Sequence, residues 1–146
     1  MASEESIQFL IHRGAETPHR DSPPDGLSYK FWRPAFFDYK PKGLPFHPKF
    51  LVWWTFHHLR IFYNRGYAIL LISDSNTVAH YSFVFPGFFR FGFMQRKHLQ
   101  IGDVWPSPQY RNKGLAAFSI NQITDQFASK ETPIWYLVDS SNIPSV

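Results

Sequence analysis

The chain contains no cysteine. Disulfides, zinc thiolates and thiol nucleophiles are therefore excluded, and an intracellular, cytoplasmic setting is the expectation. A long apolar run is also missing: Leu51–Ile72 is broken by His57, His58, Arg60, Asn64 and Arg65, so no segment is expected to span a bilayer. The first residues, MASEESIQFLIHRG, start acidic and lack the basic-then-apolar pattern of a secretory leader. No internal repeat at a solenoid period is present. None of the seven histidines stands at metal-ligand spacing from another, so no metal is expected.

What is abundant is aromatic. The 146 residues include 16 Phe, 7 Tyr and 5 Trp, a composition that suits a core, an apolar pocket or a sticky surface alike. With 44% hydrophobic and 18% charged residues the balance is that of one ordinary globular domain, 1–146. A net charge of +4 and a pI near 9.4 favour an anionic partner. Phosphorylated cofactors, anionic lipid and nucleic acid all qualify by charge. No RNA- or DNA-binding signature is present, so nucleic acid is not the expected partner.

Alternation and turn residues divide the chain into elements. Ser6–His12 reads as a short strand, and residues 14–27, rich in proline, glycine and polar residues, read as a loop. Order resumes over Tyr29–Tyr39, interrupted by Pro34. Pro48 suits the first turn of a helix running to about Arg65, with Gly66 as its stop. On that helix Val52, Phe56, Leu59, Phe62 and Tyr63 share an expected core face, and Lys49, His57, Arg60 and Asn64 lie opposite. Trp53, Trp54 and the basic residues also permit a helix resting on a membrane surface. Tyr67–Asp74 and Thr77–Phe85 form a strand pair turned at Ser75–Asn76. In the second strand Val78, His80, Ser82 and Val84 are expected on one face, with Ala79, Tyr81, Phe83 and Phe85 on the other. His98–Trp105 is a third strand, ended by Pro106 and Pro108. An amphipathic helix follows over Leu115–Ser129, with Ala116, Ile120, Ile123 and Phe127 as its stripe and Asn121, Gln122, Asp125 and Gln126 away from it. Pro133–Asp139 is a further strand. An antiparallel meander thus feeds a strand–helix–strand crossover.

Chemistry concentrates in Ile101–Ile123. A strand ends, a short proline-containing loop follows, and a helix opens at a glycine flanked by Arg111 and Lys113. The first amides of a helix have no internal acceptor, and the helix dipole adds partial positive charge there. Gly114 allows a bulky anion close to the backbone. Such a junction suits a phosphate, and it equally suits a capped surface helix with a solvated basic rim.

The spacing decides between them. Arg111-Asn112-Lys113-Gly114-Leu115-Ala116 resembles the R/Q-x-x-G-x-G/A signature of the GNAT acyltransferase family, with Pro108–Arg111 similar to its lead-in. Asp139-Ser140-Ser141-Asn142 resembles the family's asparagine-containing segment, and IQFLIHRGAETP its first strand and exit loop. The resemblance implies an α+β, three-layer fold: a mixed, largely antiparallel sheet flanked by helices. It also implies transfer of an acyl group from acetyl-CoA to an amine, taken here as a small molecule or amino sugar. By the same resemblance the amides of Arg111, Asn112, Lys113, Gly114, Leu115 and Ala116 hold the pyrophosphate. The strand edge at Val104–Trp105 bonds the pantetheine arm, with Asn142 nearby. The attacking amine needs a base. Asp103, near the end of the strand before the loop, is one candidate and His80 the other. The family continues with a helix and two strands beyond the point where this chain ends at Val146. The resemblance therefore implies a C-terminally shortened domain, active or retained as a CoA- or partner-binding module. It also implies an exposed apolar edge at Ile134–Asp139, or completion by another chain such as a second copy in a homodimer.

Overall fold

The computed structural model describes residues 7–12, 22–62, 66–88, 90–129 and 131–139. Eight elements follow in chain order: β1 (Ile7–His12), β2 (Ser28–Trp32), α1 (Pro48–His58), β3 (Ala68–Asp74), β4 (Thr77–Pro86), β5 (Leu99–Pro106), α2 (Leu115–Phe127) and β6 (Ile134–Asp139). Single 3-10 turns precede β2 at Pro24–Gly26 and α2 at Pro108–Tyr110. The strands form one sheet in the order β1-β6-β5-β4-β3-β2. Every neighbouring pair is antiparallel except β5 and β6, which α2 connects as a parallel crossover. Among the described residues no helix is long and apolar enough to cross a membrane.

The two helices lie on opposite faces. Beneath α2 the core holds Leu70, Ile72, Val84, Ile101 and Ile134 from the sheet with Leu115, Phe118 and Ile123 from the helix. Beneath α1 it holds Ile69, Leu71, Phe83 and Tyr67 with Phe50. The consecutive buried residues Ile69–Ile72 send alternate side chains into the two cores, as expected of a strand covered on both faces.

Several sequence expectations are corrected. The strand expected over Ser6–His12 is present as β1. It lies at the far edge and pairs with β6 along its whole length, from Ile7↔Asp139 to His12↔Ile134. The apolar edge expected at Ile134–Asp139 is therefore covered by this chain itself. Helix α1 ends at His58, not near Arg65. Arg60 takes the left-handed conformation (φ 54°), and the amides of Ile61 and Arg60 donate to the carbonyls of Phe56 and His57. This is a Schellman stop without a glycine.

The buried face of α1 is set by Phe50, which stacks on Phe83 at 5.8 Å, and Trp53, which stacks on Tyr67 at 5.6 Å. Val52 and Leu59 point to solvent instead. On α2 the stripe is rotated toward Leu115, Phe118, Ser119, Gln122 and Ile123, with Ile120 and Phe127 half-buried at its flank. In β4 a bulge opposite Ile72/Ser73 shifts the alternation, so Ala79 joins the α2-side core while Val78 packs on the α1 side.

Candidate active site

Strand β5 carries the geometry that matters. Its parallel pairing with β6 covers Leu99–Ile101 and stops at Ile101↔Tyr136, although β6 runs on to Asp139. On its other side β5 follows β4 as far as His80↔Pro106, with one irregularity. Between Tyr81↔Trp105 and Phe83↔Gly102, two steps on β4 stand against three on β5. The extra residue is a bulge, and Asp103 sits in it with φ 47°, a left-handed conformation that aspartate tolerates better than most side chains. Among the described residues β5 and β6 are unpaired from here on, a notch in the hydrogen-bond ladder. Beside it, residues 102–106 of β5 pair with β4 alone among the described residues.

The bulge also re-aims side chains. Val104 packs against the α2-side core, whereas Trp105 stacks on Tyr81 on the other face, with ring centroids 5.3 Å apart and planes at 20°. The Asp103 carboxylate meets the Lys49 ammonium, Nζ to Oδ2 2.9 Å, across from the first turn of α1. Lys49 Nζ lies 4.7 Å from the Phe83 ring centroid and 5.9 Å from that of Tyr81. The pair is partly exposed, so its worth to stability is small, about 1 kcal/mol or less. Tyr67 lies deeper, its Oη buried with no hydrogen-bond partner among the described residues. Burial, and then the negative charge of Asp103, push its phenol well above the ordinary range and keep it protonated. Gly102 precedes the bulge, and a Cβ there would lie 2.8 Å from Cε1 and Cζ of Phe85, so that ring would have to shift to admit one.

After β5 the chain is pinned twice before α2 begins. The Ser107 amide donates to the Ala79 carbonyl (2.8 Å), and Tyr110 Oη donates to Asp74 Oδ2 (2.8 Å), which raises the pKa of that phenol. Asn112 (φ 59°) and Gly114 (φ 74°) then take left-handed conformations that swing the backbone into the helix. Gly114 is the N-cap, and no side chain caps the helix. Its carbonyl accepts the Phe118 amide, leaving the amides of Leu115, Ala116 and Ala117 without an intrahelical acceptor. No acidic residue lies in the first turn, and among the described residues a Cβ built on Gly114 meets nothing within 4 Å. The helix start is thus open, electropositive and able to admit a bulky anion. Arg111, Asn112, Lys113 and Gly114 are exposed around it, and Lys113 Nζ lies 5.3 Å from the Tyr110 ring centroid. Leu115 is buried and Ala116 half-buried, so these two can offer an anion only their amides.

The residues singled out from sequence are therefore gathered unequally. Asp103, Val104 and Trp105 lie at the notch, and Arg111–Ala116 wrap the helix start that follows on the same strand–loop–helix unit. Asn142 lies outside the described residues. His80 stands apart from Asp103, on the α2 side of the sheet and fully buried. Its Nε2 shares a 2.9 Å hydrogen bond with Ser82 Oγ, which accepts a second from Ser119 Oγ at 2.7 Å. Burial lowers its pKa to about 4, so it is neutral near pH 7. Sequence reasoning missed Lys49 and Tyr67 as neighbours of Asp103, and Tyr81 beside Lys49. Lys49 is 54 residues away in sequence, and no local pattern announces the pairing.

Solved structures to which this chain is similar include two acetyltransferases. One is a GCN5-related N-acetyltransferase from Kribbella flavida, at 11% identity, with 94% of this chain and 49% of that chain covered and a TM-score of 0.50. The other is a putative GNAT-family acetyltransferase from Novosphingobium aromaticivorans, at 15% identity, with 99% and 66% covered and a TM-score of 0.44. The chain thus spans about half the length of the first. No curated protein sequence matches it. The family model of the GNAT acetyltransferases matches residues 29–146, from β2 through the uncapped helix to the last residue, and the chain belongs to the acetyltransferase (GNAT) family.

Proposed function

We propose that the protein transfers an acyl group, acetyl in the first instance, from a CoA thioester to the amine of a small molecule or amino sugar. The observation that carries this reading is the uncapped start of α2 at Gly114, open to an anion and joined by one short loop to the notch at the β5 bulge. In this reading the amides of Arg111–Ala116 hold the pyrophosphate, and Arg111 and Lys113 add charge at the rim. The β5 edge at Val104–Trp105 bonds the pantetheine arm as an added strand would. The thioester then lies beside Asp103.

An alkylammonium must lose a proton before it can attack. Asp103, about half-exposed and aimed toward α1, is the base in this proposal. His80 is a weaker choice because it is sealed beneath α2, away from any bound thioester. The stacked Tyr81–Trp105 pair offers an apolar wall against which a sugar ring or alkyl chain of the acceptor can lie.

A thiol-release assay with acetyl-CoA and a panel of amines and amino sugars tests the proposal. Release that depends on an amine and saturates with acetyl-CoA is expected. CoA binding without release from any amine would leave a binding module in place of an enzyme.

A further inference from the structure

Lys49 occupies the position that the proposed function reserves for the acceptor. Its ammonium is 2.9 Å from the Asp103 carboxylate and lies over the Phe83, Tyr81 and Phe50 rings at 4.7, 5.9 and 6.0 Å. Its side chain is 28% exposed, so the stem is held while the nitrogen faces the bulge. The other described lysines are placed differently. Lys40 Nζ donates to the Leu44 carbonyl, Lys97 pairs with Glu131, Lys113 lies over Tyr110, and Lys30 and Lys42 are exposed. Only Lys49, among the described lysines, has its nitrogen at the candidate base.

From this juxtaposition we infer that Lys49 is a self-acylation site, modified by the acyl thioester bound in its own chain; the inference rests on the acyl-transfer reading above. Asp103 takes one proton from the Lys49 ammonium. The freed Nζ lone pair forms the N–C bond to the thioester carbonyl and the C–S bond breaks. CoA leaves as the thiol, carrying one proton, and a second is released to solvent. The balance is Lys–NH3⁺ plus acyl-S-CoA giving Lys–NH–acyl, HS-CoA and H⁺, with no further reactant. Holding amine and base together in advance removes the entropy cost of bringing in an external amine. The product amide is neutral, so the ion pair with Asp103 and the cation contact with Phe83 are both lost. Asp103 is then released to receive the ammonium of an acceptor. The modification would convert a self-occupied acceptor position into a vacant one.

Incubation of the full chain with acetyl-CoA and no amine, followed by peptide mapping over time, tests this. Lys49 is expected to be acetylated first, at a rate that saturates with acetyl-CoA and is suppressed by excess CoA. It should outpace the exposed Lys30 and Lys42 by about tenfold or more, the advantage of a pre-positioned amine. Asp103→Asn should slow modification of Lys49 by about a hundredfold, the scale of a lost general base, and leave Lys30 and Lys42 unchanged. Lys49→Arg, which keeps the charge and the fold, should abolish the fast phase. Calorimetry of CoA binding on the same samples separates the outcomes. Bound CoA with Lys49 modified no faster than Lys30 or Lys42 would overturn the inference alone, whereas absence of CoA binding would overturn the acyl-transfer reading and the inference with it.

Discussion

Replacing Gly102 by alanine tests whether the β5 bulge is built as described. The added Cβ would lie 2.8 Å from two ring carbons of Phe85, well inside ordinary carbon contact. Relief requires the Phe85 ring to move, and that ring is itself backed by Trp53 of α1 with centroids 4.9 Å apart. Trp53 in turn stacks on Tyr67, so the displacement passes into a packed aromatic layer. Overpacking of this kind costs about 1–3 kcal/mol. For a domain of this size that lowers Tm by about 3–9 °C. Gly114→Ala is the matched comparison. There a Cβ meets nothing within 4 Å, and the cost is only the strain of a left-handed alanine, about 1 kcal/mol. Thermal unfolding followed by circular dichroism gives both values. A Gly102→Ala protein as stable as wild type, or less perturbed than Gly114→Ala, would refute the packing assigned to the bulge.

Two further predictions concern the candidate bases. Asp103→Asn keeps the shape of the bulge and removes the proton acceptor, so kcat/KM with an amine should fall by about 10²–10⁴ while CoA affinity holds; unchanged turnover would remove Asp103 from the mechanism. His80 is neutral in the folded chain, with a pKa of about 4 against an ordinary 6.5, so the unfolded chain binds more protons between those values. Stability therefore rises with pH across that window. It is lost as pH falls from 6.5 toward 4, by roughly 3 kcal/mol at most, and urea titrations at a series of pH values should show the loss for wild type and not for His80→Gln.

Much of the fold could be read from residue pattern, because glycine or proline marks one end of each strand from β3 to β6 and α2 has one apolar stripe. Pattern failed where the physics was non-local or the signal flat. Helix α1 is apolar on nearly every side, with Leu51 and Val52 exposed beside buried Phe50, so periodicity could not choose its inner face. Its end was misplaced because Arg60, not a glycine, adopts the left-handed stop. The bulge in β4 that moves Val78 and Ala79 leaves no trace in composition. Neither does the choice of β6 as the partner of β1, which joins residues more than 120 positions apart. At the candidate site the phosphate loop was legible because its residues are contiguous. The surroundings of Asp103 were not, since Lys49 comes from α1 and Tyr67 from the flank of β3, and both reach it only after the sheet and α1 have packed.

The helix start at Gly114 is the proposed pyrophosphate site, and calorimetric titration of CoA into wild type and Gly114→Glu tests it most directly. The wild-type chain should bind one CoA. The variant places a carboxylate in the space left for the pyrophosphate and should lose about two orders of magnitude in affinity, about 3 kcal/mol. Gly114→Asn, tolerant of the same left-handed backbone and uncharged, should bind more tightly than the glutamate variant. A Gly114→Glu protein that binds CoA as wild type does, or a folded wild-type chain that binds none, would contradict the assignment.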